Sequence, residues 1–137
     1  MTLSSPQEAL IHLMVIVSAS DRDMGDAELA RIGAVVRTLP VFSEFEHART
    51  LEVAQGCQKL LSDEEVGLEG ILTLIHDALT PELRETAYAL AVDVAIADRS
   101  LNPEEHRMLD IVKDRFELER PVVNAIERAA SIRHRKA

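Results

Sequence analysis

Apolar residues recur at helical spacing along most of the chain, and turn residues or prolines separate the runs. In the first run Leu10, Leu13 and Val17 fall on one helical face, and Pro6 stands at its start. No alternating run rich in β-branched residues competes with these patterns. The periodicity predicts an all-α domain of about seven helices in a compact bundle. The predicted spans are about 6–20, 26–39, 44–61, 64–79, 81–97, 103–116 and 119–133.

Polar residues indicate where individual helices begin. Ser5 followed by Glu8 forms a capping box, and Thr80 precedes a proline that suits the first position of the fifth helix. Ser43 and Asp63 are the predicted caps of the third and fourth helices. The fifth helix has the fewest polar positions, so we expect it to be the central and most buried one.

One short pattern occurs twice, each time between two apolar runs. It starts with an acid and an arginine and ends with a glutamate seven positions after the acid. A constant offset of 77 residues relates Asp21 to Asp98 and Glu28 to Glu105, and flanking apolar residues match at the same offset. A match of this kind is typical of an internal repeat.

The repeat predicts how the domain is organised. Two pseudo-symmetric helix-turn-helix units, at about 8–40 and 82–117, would lie within a single domain that spans residues 1–137. A basic, frayed end is expected at 133–137, where cations suit the C-terminus of a helix.

The repeated acids are candidate ligands for a metal ion. Packing of the two units about a pseudo-twofold axis would bring four carboxylates together, and like charges at close range need a cation to neutralise them. Ca²⁺ and Mg²⁺ both prefer oxygen ligands. An EF-hand is excluded, because its twelfth position would be Ile32 or Leu109. The candidate ligands are Asp21, Glu28, Asp98 and Glu105, with Asp23 and Asp93 as secondary candidates.

A purely structural interpretation of the same acids stays open. Asn102 and Glu105 can form a capping box, and Gly25 with Glu28 nearly reproduces it. Asp93 interrupts a very apolar stretch, where it could serve as a ligand or as a carboxylate paired with an arginine.

Charge and cysteine usage exclude several functional classes. The formal net charge of the chain is −9. No acid follows Glu127 and the C-terminal end is basic, so the net charge of the rest of the chain is more negative than −9. An acidic body disfavours nucleic-acid binding and favours cations or basic partners. Cys57 is the single cysteine, so an intrachain disulfide and a cysteine-rich zinc site are excluded. The apolar runs are too short for membrane insertion, and we expect a cytoplasmic protein.

No catalytic framework is recognisable, so we expect no enzymatic activity. The pair His76 and Asp77 invites comparison with metal-dependent phosphohydrolases, but the sequence offers no further ligands at matching spacing. A nucleophile elbow and phosphate-binding glycine loops are also missing from the sequence.

The two acidic turns give the chain a resemblance to the TerB-like family of tellurite-resistance proteins, over roughly residues 8–130. The helical domain of that family also occurs near the N-terminus of a membrane-bound DnaJ-type co-chaperone. Its turn usually reads Ala-Asp-Gly, one further residue, an aliphatic residue, a cap, two further residues and then a glutamate. Asp21, Glu28, Asp98 and Glu105 match this pattern, whereas arginine replaces the glycine in both copies.

The resemblance implies a stress-response module with an acidic site for a divalent cation and a protein partner in a stress-response or membrane-associated complex. The alternative is an interaction scaffold whose acids only cap helices. For that alternative the apolar pairs Val41-Phe42 and Val122-Val123 are the expected contact surface.

Overall fold

The computed structural model describes residues 2–18, 25–96 and 103–137. These ranges form seven α-helices and two short 3₁₀ turns, and they contain no strand, so the all-α prediction is confirmed. The helices are α1 Pro6–Ser18, α2 Asp26–Thr38, α3 Thr50–Ser62, α4 Gly67–Ala78, α5 Pro81–Ile96, α6 Pro103–Arg115 and α7 Arg120–Arg133. The 3₁₀ turns span Pro40–Phe42 and His47–Arg49. No helix in the described ranges is both long and apolar enough to span a bilayer.

The first helix lies at the centre of the bundle. All residues from 9 to 17 are buried, and α1 packs against each of α2 to α6. The prediction that the fifth helix is the most buried is therefore wrong. α5 does bury most of one side, but Glu85 is exposed and Arg84 and Asp93 are only partly buried, whereas α1 has no charged residue after Glu8.

Two of the predicted helix starts are confirmed by side-chain hydrogen bonds. The backbone N–H of Glu8 donates to Ser5 Oγ at 3.2 Å, and the N–H of Leu83 donates to Thr80 Oγ1 at 3.2 Å. In both helices a proline occupies the first position, where a missing N–H costs nothing. These starts depend on local chemistry alone, which explains why the sequence predicts them.

The third helix starts later than predicted. Ser43 does not cap it, because the chain runs through the two 3₁₀ turns and α3 begins at Thr50. Thr50 Oγ1 donates to the backbone oxygen of His47 at 2.8 Å. The rings of Phe42 and Phe45 meet edge to face with their centroids 6.1 Å apart. The segment 40–49 therefore contains two 3₁₀ turns where periodicity favours the start of an α-helix.

The fourth helix also starts later than predicted, at Gly67 and not directly after Asp63. Asp63 Oδ1 accepts a hydrogen bond from the backbone N–H of Glu65 at 2.8 Å, so it orders a turn. Gly67 has a φ of 58°, a left-handed conformation that interrupts any helix running on from Asp63.

The contact surface expected for a scaffold is not present on the protein surface. Phe42 and Val123 both belong to the core. Among the described residues, the exposed large apolar side chains are instead Leu51 and Ile132, each 48% exposed. The prediction of exposed apolar stripes at 41–42 and 122–123 is wrong, because Phe42 and Val123 are buried and Val41 and Val122 are partly buried.

A polar network joins the last three helices at the edge of the core. Tyr88 on α5 is fully buried, and its hydroxyl donates to Glu127 Oε2 on α7 at 2.5 Å. Lys113 Nζ on α6 lies 3.5 Å from the same oxygen and 2.9 Å from Asp110 Oδ1. Burial and the carboxylate partner raise the pKa of Tyr88 well above its usual value.

Candidate functional site

The candidate cation site consists of the two acidic joints: the first joint, residues 19–24, and the second joint, residues 97–102. Its candidate ligands Asp21, Asp23 and Asp98 lie outside the described residues. Glu28 and Glu105 are described, and each stands in the first turn of the helix that follows its joint. The pseudo-symmetry of the two units therefore stays a prediction.

The carboxylate of Glu28 lies over the N-terminus of α2. Its Oε2 would be 2.9 Å from a Cβ atom added to Gly25, so the side chain folds back toward the first joint. Within the described ranges this carboxylate has no hydrogen-bond or ion-pair partner, and no side chain caps α2. The capping box proposed for Gly25 and Glu28 is thus not formed by these two residues.

Glu105 occupies the equivalent place in α6. It is partly buried, whereas its neighbour Glu104 is exposed, and its side chain takes part in an interaction. Asn102, the other half of the proposed capping box, lies outside the described residues. Both predictions for Glu105, as a cap of α6 and as a cation ligand, therefore stay predictions.

Asp93 is paired with the end of α7. Arg133 Nη2 lies 2.5 Å from Asp93 Oδ1, and His134 Nε2 lies 3.4 Å from the same oxygen. Only 26% of the Asp93 side chain is exposed. The sequence does not identify these partners, because the nearer of them, Arg133, lies 40 residues from Asp93. A metal ion would have to displace this pairing before it could bind Asp93.

The helix ends that adjoin the two joints share a pocket. Arg31 of α2 and Val94 of α5 both line it. Arg31 is five residues after Asp26, a rise of about 8 Å, and Val94 is two residues before Ile96, a rise of about 3 Å. The second turn of α2, which follows the first joint, and the last turn of α5, which precedes the second joint, therefore line one pocket.

The donor atoms of the candidate site fit a hard cation. Carboxylate oxygens are the ligands that Ca²⁺ and Mg²⁺ prefer. Groups of three or more metal-binding side chains do not occur among the described residues alone.

The pair His76 and Asp77 lies at the surface of α4. His76 Nδ1 is 3.0 Å from Asp77 Oδ1, and 69% of the Asp77 side chain is exposed. The His76 ring packs against Phe116, with 6.2 Å between ring centroids. The described residues bring no other metal ligand to this pair, as a hydrolase would require.

A wide groove of about 1270 Å³ runs beside α1 and α3, and sequence reasoning missed it. His12 is 4% exposed at its base, where Nδ1 donates to the backbone oxygen of Glu8 at 2.7 Å. Burial lowers the pKa of His12. Desolvation raises the pKa of Glu8, but hydrogen bonds from Ser4 and Arg49 outweigh it, so the pKa of Glu8 is lowered.

The chain matches a known protein family. The family model described as Tellurite resistance protein TerB matches residues 7–128, which include six of the seven helices nearly whole and the first part of α7. No curated protein and no solved structure matches the chain.

Proposed function

This chain belongs to the family of the tellurite resistance protein TerB, and from that premise we propose that it is a non-enzymatic stress-response module whose two acidic joints hold a divalent cation. The cation is Ca²⁺ or Mg²⁺, because the proposed donors are all carboxylates. Glu28 and Glu105 are the proposed ligands from the helices, and Asp21 and Asp98 are those from the joints. Asp23 is a secondary ligand.

The observation that carries the proposal is the carboxylate of Glu28. It is turned back over Gly25 toward the first joint and has no partner among the described residues. Three other acids, Glu8, Glu127 and Asp93, are each paired with a cationic side chain. An unpaired carboxylate at the place where the repeat predicts a ligand is favourable for cation binding.

The packing of the helices supports a shared site. The second turn of α2 and the last turn of α5 line one pocket, and α1 packs against both α5 and α6. Because the first joint precedes α2 and the second follows α5, this packing favours joints that are neighbours.

Calorimetric titration of the chelator-treated protein with CaCl₂ and with MgCl₂ tests the proposal directly. We expect one site per chain with a dissociation constant below about 1 mM, within the range of known calcium sites. At a hundredfold excess over that constant the ion would stabilise the fold by about 2.7 kcal/mol. The melting temperature would then rise on the order of 8 °C.

Matched substitutions locate the site. Glu28→Gln and Glu105→Gln should each weaken binding at least tenfold, because each removes one charge from the donor set. Asp26→Asn and Glu104→Gln are the controls, since they remove a charge from the same two helix turns outside the repeated pattern. If ligand and control variants weakened cation binding equally, the loss would be due to net charge and the proposed ligands would be wrong. If the unaltered protein bound neither ion, the proposal would be refuted.

The module would act in the cytoplasm through a protein partner in a stress-response or membrane-associated complex, without contact to nucleic acid. An acidic surface attracts basic segments of a partner. The net charge of −9 supports that expectation.

A scaffold that acts without a cation is the second candidate. Leu51 is 48% exposed and lines a pocket of about 350 Å³ between α2 and α3, so an apolar contact is available there. A partner that remains bound in chelator and is lost in Leu51→Ser, but not in Ile132→Ser, would favour the scaffold. Loss of the partner in chelator would favour the cation.

A further inference from the structure

We propose that a pocket between α2, α5 and the end of α7 binds a small aliphatic carboxylate. The pocket has a volume of about 420 Å³, which falls within the range of ligand pockets in proteins. Ala34 and Val35 of α2 and Val94 of α5 form its apolar wall. An aliphatic chain would cover this wall and remove it from water.

The charged residues that line the pocket favour a negatively charged ligand. Arg31, Asp93, Arg133 and His134 line it. Asp93 is already compensated by Arg133, at 2.5 Å, and His134 lies 3.4 Å from the same oxygen. Arg31 has no hydrogen-bond or ion-pair partner in the described ranges. Among the described residues, the guanidinium charge of Arg31 is therefore not compensated, and it lies beside an apolar wall.

The single uncompensated positive charge of Arg31 favours a carboxylate as the ligand. A guanidinium group binds a carboxylate through two parallel hydrogen bonds, and one negative charge balances the single free arginine. A phosphate dianion would need a second free cation, which the described lining does not supply. The neighbouring Asp93 would repel a more highly charged ligand.

The pocket is distinct from the cation site in its chemistry. It offers an unpaired cation and an apolar wall, whereas the joints offer carboxylates. Binding can therefore be measured in chelator, where the proposed cation site is empty, and each proposal can fail without the other.

Two-dimensional ¹H–¹⁵N NMR of the full chain in EDTA, titrated with sodium octanoate, tests this inference. Saturable shifts should centre on Ala34, Val35 and Val94. Octanol has the chain without the charge and acetate has the charge without the chain, so both should bind at least tenfold more weakly. A peptide that ends in leucine is a further arm, since its terminal carboxylate carries an aliphatic group on a macromolecule.

Matched variants test the role of the arginine. Arg31→Gln should weaken octanoate binding at least tenfold, whereas Arg37→Gln, on the same helix and outside the pocket, should leave it unchanged. Ala34→Leu should abolish binding by filling the pocket, with circular dichroism as the check that the fold is retained. Equal binding of octanol and octanoate, an unaffected Arg31→Gln variant, or binding of the peptide without binding of octanoate would each overturn the inference.

Discussion

The hydrogen bond between Tyr88 and Glu127 offers a direct test of how α7 is held on the core. Tyr88→Phe removes one hydroxyl and leaves the buried ring in place. A hydrogen bond to a charged group contributes about 1.5–3 kcal/mol to stability. Because 43% of the Glu127 side chain is exposed, water can replace the lost donor, and we expect a cost of about 1–2 kcal/mol.

Urea unfolding measures this cost. With a slope of about 2 kcal/mol per M, the midpoint should fall by about 0.5–1 M at an unchanged slope. A double-mutant cycle with Glu127→Gln should give a coupling free energy of about 1 kcal/mol. Glu119→Gln, at the start of the same helix, is the control and should show no coupling. A coupling within error of zero would refute the claim that this bond holds α7.

The same bond has a spectroscopic signature. Tyr88 is the single tyrosine of a chain without tryptophan, so alkaline absorbance reports one group. Since its pKa is raised in the folded state, the unfolded chain loses the proton first. The contribution of Tyr88 to stability is present below about pH 10 and declines above it. We expect phenolate absorbance to appear only with unfolding. A phenolate signal near pH 10 with native circular dichroism would contradict the buried geometry.

Three further outcomes follow from buried residues. Burial raises the pKa of Cys57 to about 12, so a thiol reagent at pH 8 should modify it only as fast as the protein opens, and at once in urea. Because the pKa of His12 is lowered by burial, the unfolded state takes up a proton first, and stability should fall below about pH 6.5, less steeply in His12→Gln. Leu13→Ala should cost about 3–5 kcal/mol by calorimetry, against less than about 1 kcal/mol for the exposed Leu51→Ala.

Local chemistry made the helix starts at Ser5 and Thr80 predictable, because a cap depends on residues within one turn. The start of α3 was predicted too early, since the segment 40–49 contains two 3₁₀ turns, which apolar periodicity does not distinguish from an α-helix. The prediction that the fifth helix is central was also wrong, although α1 has no charged residue after Glu8 and α5 contains Arg84, Glu85 and Asp93, so the count of charged positions favours α1.

The sequence predicts which residues belong to the candidate site, but not which atoms their side chains contact. The repeated spacing picks out Glu28 and Glu105 from the sequence alone. It cannot show that the Glu28 carboxylate folds over Gly25, or that Asp93 is paired with Arg133. Contacts between distant residues arise from tertiary packing, and a single sequence carries no signal for them.

The position of α1 has a consequence for biosynthesis. The segment 9–17 is completed before any of the helices α2 to α6 that cover it. Ribosomes add about 5–20 residues per second. Roughly 5–20 s therefore pass between synthesis of this segment and synthesis of α6, the last helix that packs against it. During that interval nine consecutive side chains, apolar apart from one histidine, lack at least part of the packing that buries them in the folded domain. We therefore expect this stretch to be the principal binding site for chaperones that recognise apolar segments at the ribosomal exit.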